Sequence, residues 1–599
     1  MNKVSKILIW TLLLAVLIGG FIYLLNIKVT TYQGEFPRPL ETYQDSHMKD
    51  IPAILSHRIR VEPFNIVASL IFLLAIVHTM MASWFQKTAH WFEAAHAEKV
   101  KRGSAPKDSH SVAAGLFHLM GEVEVVFGLW GLVLGIAIYF YYDWHTFVGY
   151  LEELGYREAL FILVIMTIAS SRPILKLFEM VMWQIVKAFK GSLSAWWFTI
   201  LLMSAPLSSL ITGPAAMTIC AFLLAEKFYS LNPSNRLKYA SVALLFINVS
   251  IGGGLTNFAS PPILMVAGVW NWDNSFMLST FGLPILISVL IPTFLYYFLF
   301  RKDFDDLKGA YENYRYEKYI QNRFISEKEL ENLFAGLEHN VDLRTGFSSE
   351  INAYADILKE NIKSLAKAKL SPEELDLYDI NKAIDEKFDS IKQEELRRTI
   401  PGLLPSTERP QYLDPKWDNR EDPVPFWIIL AHVGFMVWTI FSAHEPVLFL
   451  GGFMFYLGFY QVTGFYQNRL DLRPALLVAF FIAGIVIHGT LQAWWIAPVL
   501  ANLPELGLNI TAIVLTAFND NAAITYLATL VTDFPDELKY AIVSGAITGG
   551  GLTVIANSPN PIGQSVLKKY FDNGISAAGL AQYALGPTII AAFVFYLLH

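Results

Sequence analysis

Apolar runs long enough to cross a roughly 30 Å hydrocarbon core recur along this chain, each closed by a short polar break. The first, Ile7 to Leu25, follows Lys3 and Lys6, and the NIKVTTYQG behind it offers no small-residue cleavage site. It predicts an anchor helix with its N-terminus inside, rather than a signal peptide, and an external loop to Arg60. Spans follow over Pro63 to Phe85, Ala114 to Tyr142 and Ala159 to Ser171. Lys87, Lys99, Lys101, Arg102 and Lys107 gather after the first of these, and Asp143, Glu152, Glu153 and Glu158 after the second. A basic amphipathic segment with Arg172, Lys176, Lys187 and Lys190 follows the third. Cytoplasmic loops carry the excess of Lys and Arg, so these spans run in, out and in.

Trp196 to Phe228 is too long for one span and is interrupted at SAPLSSLITGP. Pro206, Gly213 and Pro214 oppose a continuous helix, and both ends are basic, with Lys190 before and Lys227, Arg236 and Lys238 after. The pattern predicts a re-entrant helical hairpin open to the inside, with Thr212, Gly213 and Pro214 near its tip. Non-helical backbone of this kind persists at membrane depth only when buried in protein or lining a cavity. Tyr239 to Val269 then crosses outwards with an interruption at Gly252 to Pro262, and Phe276 to Phe300 returns to Arg301 and Lys302. From Asp303 to Pro423 the pattern turns charged, with helix starts at Ser326 (SEKE) and Ser371 (SPEEL), the second a capping box. This predicts a helical cytoplasmic insert, acting either as a solvated spacer or lid or as a regulatory domain.

The second half repeats the plan. Spans are predicted over Pro425 to Phe441, Val447 to Tyr466 and Ala475 to Trp494, then a broken hairpin over Ile496 to Val531. An interrupted span over Leu538 to Leu567 and a last one over Ala577 to Leu598 follow. Arg469, Arg473, Lys568 and Lys569 mark the inside, and the acidic VTDFPDEL the outside. The wording of the chain repeats as well. TGPAAMTICAFLL and KYASVALLFINVSIGGGLTNFASPP in the first half answer FNDNAAITYLATLV and KYAIVSGAITGGGLTVIANSPNP in the second. The first copy begins outside and the second inside. The expected fold is therefore an all-α polytopic membrane protein of two inverted-topology repeats, each with a re-entrant hairpin and an unwound helix, which is the arrangement that marks a transporter's binding site. Residues 1–60 would form the anchor and its loop, 61–302 the first repeat, 303–423 the insert and 424–599 the second repeat. Location is expected in a bacterial cytoplasmic (inner) membrane, with the N-terminus and insert cytoplasmic and the C-terminus external.

Composition narrows the chemistry. Hydrophobic residues make up 54% of the 599 and charged ones 16%, with a net charge of −7, which leaves a nucleic-acid role without support. The single cysteine, Cys220, excludes intrachain disulfides and thiolate metal clusters. No nucleophile and base are arranged for catalysis and no cofactor is expected. His444-Glu445 lacks the second histidine of a zinc-hydrolase motif.

Asp520 stands between Asn519 and Asn521 in an otherwise apolar hairpin, and a carboxylate at membrane depth is costly unless paired, neutralised or wet. An apolar setting favours the protonated carboxyl and a bound cation the ionised one, so competition between proton and cation at Asp520 would give cation/proton exchange. The alternative is an Asp that only caps a broken helix. The interruptions need glycine and proline for their backbone. Their freed carbonyls, with Thr256, Asn257 and Ser260 in one copy and Thr553, Asn557, Ser558 and Asn560 in the other, could replace the hydration shell of a hard cation. Sodium would fall to Asp520, Asn521 and Asn557. Half-helix N-termini could instead hold an anion, and a kinked helix pair with no ligand is the further alternative. Trp196 to Glu226 and Ile496 to Asp533 contain no Lys or Arg, which disfavours a large anion. His118 and Glu122, four apart, share a face of one predicted helix while Glu124 projects elsewhere; Glu122 and Glu124 are candidates for a proton path, and the alternative is a scaffold or subunit-interface network. His432 and His488 are expected to be hydrogen-bonded structural residues.

At these residues the chain resembles the ion transporter superfamily, whose branches include D-type sodium/proton antiporters, arsenite permeases and sodium-coupled dicarboxylate transporters. Thr212-Gly213-Pro214 and Asn519-Asp520-Asn521 look like its hairpin tips, and the two Gly-rich stretches like its unwound helices. The Ser-Asn-Thr of the dicarboxylate branch is absent from both tips, whereas Asp520-Asn521 looks like the Asp-Asn of the antiporter branch. The run HLMGEVEVVFGLWG, His118 to Gly131, with the large central insert, is similar to one family of sodium/proton antiporters. The resemblance implies a homodimer in which scaffold spans support a transport domain that moves like an elevator. The leading expectation is exchange of sodium or another monovalent cation for protons. The alternatives are a sodium-coupled dicarboxylate or oxyanion transporter, and a membrane scaffold or sensor acting through the insert.

Overall fold

The computed structural model describes residues 35–106, 109–325, 347–371, 379–399, 423–571 and 574–599. The predicted anchor over Ile7 to Leu25, the helix start at Ser326 and the run that follows Ser371 lie outside them. Among the described residues regular structure is helical, as expected where backbone groups must be satisfied within their own segment. The chain divides into two compact units, Met1–Leu299 with Val424–His599, and Phe300–Pro423.

In the first unit α1 (Ile51–Val61) and α2 (Phe64–Met80) meet at 110°. α3 (Ala82–Lys101), α4 (Val112–Met120), α5 (Val123–Tyr141) and α6 (Trp144–Glu153) follow. α7 (Arg157–Ala169) and α8 (Arg172–Ala188) are bent by 62°. Then come α9 (Leu193–Ile211), α10 (Gly213–Lys227), α11 (Asn235–Gly252), α12 (Pro261–Ala267) and α13 (Asn274–Leu299). The second unit holds α14 (Arg301–Phe324), α15 (Phe347–Lys369) and α16 (Ile380–Thr399), closed around Ile320, Ala355, Ala366, Ile384 and Phe388. Lys363 and Lys359 brace it from α15 on Asp385 and Asp389 of α16, at 2.7 and 3.0 Å. The first unit resumes with α17 (Phe426–Phe441), α18 (Pro446–Val462), α19 (Arg473–Gly489) and α20 (Ala493–Leu500). It ends with α21 (Glu505–Phe518), α22 (Asn521–Ala528), α23 (Asp536–Gly549), α24 (Asn560–Leu567) and α25 (Ala577–Leu597). Among the described residues six helical stretches, α5, α9, α11, α13 and α25 among them, are long and apolar enough to cross a membrane.

Packing sorts the first unit into two sets. α5 and α7 lie against α19, and α17 and α18 against α7. The other set joins α9 to α10 and α11, α21 to α23, and α13 and α11 to α25. α11 is buried on nearly every side, and its polar positions are accordingly bonded. Ser241 Oγ accepts from Trp197 Nε1 at 2.8 Å, and Asn248 Nδ2 donates to the Leu201 carbonyl at 3.0 Å.

The structure corrects two sequence expectations. The predicted span over Ala114 to Tyr142 is two helices, because Gly121 sits against Gln86, whose Nε2 donates to the Gly121 carbonyl at 3.2 Å, while His78 Nε2 bonds the Met120 carbonyl at 2.9 Å. His118 and Glu122 therefore share no helix face. His118 meets Glu93 at 2.8 Å, and Glu122 meets Arg473 at 2.6 Å. The second hairpin's first arm begins at Glu505, since Ile496 belongs to α20. Pro206, for its part, lies inside α9 without ending it.

Ahead of α2, Arg58 is buried with Asp45 at 2.5 and 3.2 Å and donates to the Trp494 carbonyl at 2.7 Å, tying the start of the described chain to α20. Arg58→Met should lower stability by about 3–5 kcal/mol, since it leaves a buried carboxylate unpaired. The check is the apparent melting midpoint in detergent. The hydrogen bond from Arg58 holds the Asp45 carboxyl below the ordinary 3.8. This contribution is thus present above 3.8 and is lost as pH falls through the lower folded value.

Candidate functional site

Each half of the first unit carries one helix–turn–helix and one helix that stops, runs unwound and restarts. In the first, α9 ends at Thr212, whose φ of 79° is a left-handed conformation unusual for a β-branched residue, and α10 restarts at Gly213-Pro214. Proline suits that first turn, where its missing N–H has no intrahelical partner in any case. In the second, α21 ends at Asn519, and Asp520 caps α22 by accepting from Ala522 N at 2.8 Å. Asn519 Oδ1 accepts from Asp520 N at 3.0 Å, and Asn521 N donates to the Ala556 carbonyl at 3.2 Å.

The unwound segments are bonded to these turns by matching hydroxyls. Thr256 Oγ1 donates to the Ser209 carbonyl at 2.9 Å, and Thr553 Oγ1 to the Ala517 carbonyl at 2.8 Å. Ser209 Oγ donates to the Gly252 carbonyl at 2.5 Å and accepts from Leu255 N at 3.1 Å, while Ser208 Oγ takes the Val249 carbonyl at 2.7 Å. On the other side Asn560 Nδ2 gathers the Gly550 and Thr553 carbonyls at 2.7 and 2.8 Å. The halves also interlock. α10 lies on α24 and α12 on α22. A Cβ on Gly213 would stand 2.7 Å from Pro559 Cγ, and one on Gly550 would stand 2.9 Å from Asn521 Nδ2 and closer still to Ser250 Oγ.

Asp520 is 3% exposed. Glu124, a second carboxylate and half-buried, stands at the start of α5. Around the two turns and breaks lie buried oxygens without a protein hydrogen-bond partner: Thr212 Oγ1, Ser260 Oγ, Asn521 Oδ1, Ser558 Oγ and Asn560 Oδ1. Thr516 Oγ1 and Thr548 Oγ1 are in the same state. Nearly all buried polar atoms find a partner, so these oxygens are candidates for bonding to a ligand or to water. Oxygen-only donors with one carboxylate suit a hard cation.

The structure thus brings Thr212, Gly213, Pro214, Asn519, Asp520, Asn521, Ser558 and Asn560 to the contact between one turn and the other half's break. Asn557 is buried there, its carbonyl accepting from Asn560 N at 3.0 Å. Asn257 is held elsewhere, its N–H on Asn274 Oδ1 at 2.9 Å and its amide on the Trp272 carbonyl at 3.1 Å. It lines a cavity of about 250 Å³ with Arg157, Glu158, Asp273 and His444. Sequence reasoning passed over Ser208, Ser209, Ser250, Thr516 and Thr548. The first two stand one turn before the tip, a spacing that could have singled them out. His432 and His488 are buried and hydrogen-bonded, to the Ile428 and Phe127 carbonyls.

Helices apolar and long enough to cross a membrane define a multi-pass membrane protein. Residues 63–323 and 405–598 match the model of the family described as "Putative Na+/H+ antiporter", and the chain belongs to that family. It is one of cation/proton exchange transporters rather than enzymes. No curated protein matches the chain.

Proposed function

We propose that the protein exchanges sodium, or another monovalent cation, for protons, with Asp520 alternately protonated and cation-bound. The observation that carries this reading is the buried Asp520, capping α22 between two asparagines, together with buried oxygens of the turns and breaks that have no protein partner. A carboxylate so placed needs either a proton or a cation, and the same group cannot hold both, which couples the two fluxes. Sodium falls, on this reading, to Asp520, Asn521 and Asn557. On this reading the two halves are inverted repeats, α9–α10 and α21–α22 are re-entrant hairpins, and the set around α11 moves against the set around α19 in a homodimer. The matched Thr256 and Thr553 bonds support the repeat, and the separate packing of the two sets supports the movement.

Purified protein in proteoliposomes with an imposed pH gradient tests it across a panel of cations. Sodium or a related ion should move against protons with no other solute present. A requirement for a co-transported anion would overturn the reading. On this reading Glu124, at the start of α5, serves proton delivery, with Glu122 held on Arg473 at its side. Glu124→Gln should slow exchange about tenfold, equivalent to ~1.4 kcal/mol, with cation preference unchanged. The measurement is initial rate in the same vesicles.

A further inference from the structure

We propose that His90, Glu93 and His118 form a binding site for one divalent transition-metal ion of the zinc class, joining α3 to α4. His90 and Glu93 are three apart on α3 and face the same way, and His118 comes to them from the last turn of α4. Glu93 stands between the two imidazoles, with Oε2 at 2.8 Å from His90 Nδ1 and Oε1 at 2.8 Å from His118 Nε2. The rings are 5.1 Å apart at 78° to one another. One ligand atom from each of the three residues lies within 4.8 Å of the other two.

Two imidazole nitrogens and a carboxylate oxygen form a donor set for borderline metals such as zinc, cobalt or nickel, and not for sodium, magnesium or calcium. Tetrahedral ligands at bonds of ~2.1 Å stand about 3.4 Å from one another. The two separations to Glu93 are shorter than that value and the ligand atoms of all three residues lie within 4.8 Å of one another, so closing the site takes side-chain rotation. An ion would replace the two hydrogen bonds to the Glu93 carboxylate with metal bonds. The site is open to solvent, with side-chain exposures of 69%, 50% and 35% for His90, Glu93 and His118, so an ion can enter and water can take the fourth position. The frame is fixed independently of the ligands. Phe92 of α3 stacks on Phe117 of α4 at 5.3 Å, and Ser111 caps α4 by accepting from Ala114 N. The site is separate from Asp520 and its oxygen donors, and does not depend on the transport reading.

The test uses full-length, tag-free protein stripped with chelator, titrated with Co²⁺ by its visible d–d absorption and with Zn²⁺ by calorimetry. Wild type should bind one equivalent, and Zn²⁺ should raise its apparent melting midpoint, because a ligand of the folded state stabilises it by mass action. His90→Ala, Glu93→Gln and His118→Ala should each lose about 100-fold or more in affinity, beyond the 10–100-fold that an outer-shell partner costs. They should also lose the melting shift, whereas His145→Ala, at an exposed histidine elsewhere, should keep both. His90 and Glu93 are exposed, so their variants carry the test should His118→Ala fail to fold. Absence of binding by wild type, or binding and melting shift unchanged in His90→Ala and Glu93→Gln, would overturn the site.

Discussion

Asp520→Asn should abolish proton-coupled cation exchange, by on the order of 100-fold or more, ~2.7 kcal/mol in transport barrier, and leave the fold intact. The two consequences separate because the side chain has two jobs. As a helix cap it needs only an oxygen to accept from Ala522 N, and asparagine caps about as well as aspartate. As an ion handler it needs a group that can be charged, then neutral, and a carboxamide is never charged. Asp520→Ala provides the converse comparison, losing the cap at about 1 kcal/mol as well as the charge. If Asp520 merely caps α22, the asparagine variant should transport at the wild-type rate and the alanine variant should suffer. The proposed chemistry requires both to be inactive, with only the alanine variant destabilised. Flux in proteoliposomes and melting midpoints in detergent, measured on the same preparations, distinguish the two.

Gly252→Val should be the most damaging substitution to the structure outside any ionisable position. A Cβ at Gly252 would stand 2.5 Å from the Ala205 carbonyl oxygen and 2.7 Å from its carbon, and those are backbone atoms that cannot rotate away. α9 and α11 would have to separate at the level where Ser208 and Ser209 bond the end of α11. Overpacking of this kind costs about 3 kcal/mol, and here it also breaks the bonds that hold the first unwound segment. The expected result is a lowered apparent melting midpoint and reduced recovery of monodisperse protein. Gly458→Ala is the control, because nothing lies within 4 Å of its added carbon. A Gly252→Val protein as stable as the Gly458→Ala one would show that the two helices do not cross so closely.

Much of the site was legible because its chemistry is local. A lone aspartate in an apolar run and a Gly-Gly-Gly-Leu-Thr that occurs twice need no coordinates to be noticed. The turn at Thr212 to Pro214 and the stop at Asn519 follow from proline, glycine and capping, which act within a few residues. Partnership was not legible. Asn257 has the same composition argument as Asn557, yet its neighbours Asn274 and Trp272 hold it on a different cavity. His118 and Glu122 look like one helix face until Gln86 and His78 end the helix between them.

Hydrophobic period, charge bias and internal repetition, read from the chain alone, determined that this is a helical, multi-pass membrane protein and singled out an acidic residue in an apolar stretch. These are properties of segments, set by what a bilayer demands of any backbone within it. Only the tertiary structure decided that one half's turn rests on the other half's break, and that Glu93 draws two histidines together from separate helices. Such contacts join residues far apart along the chain, and no pattern within either segment specifies which distant surface it will meet.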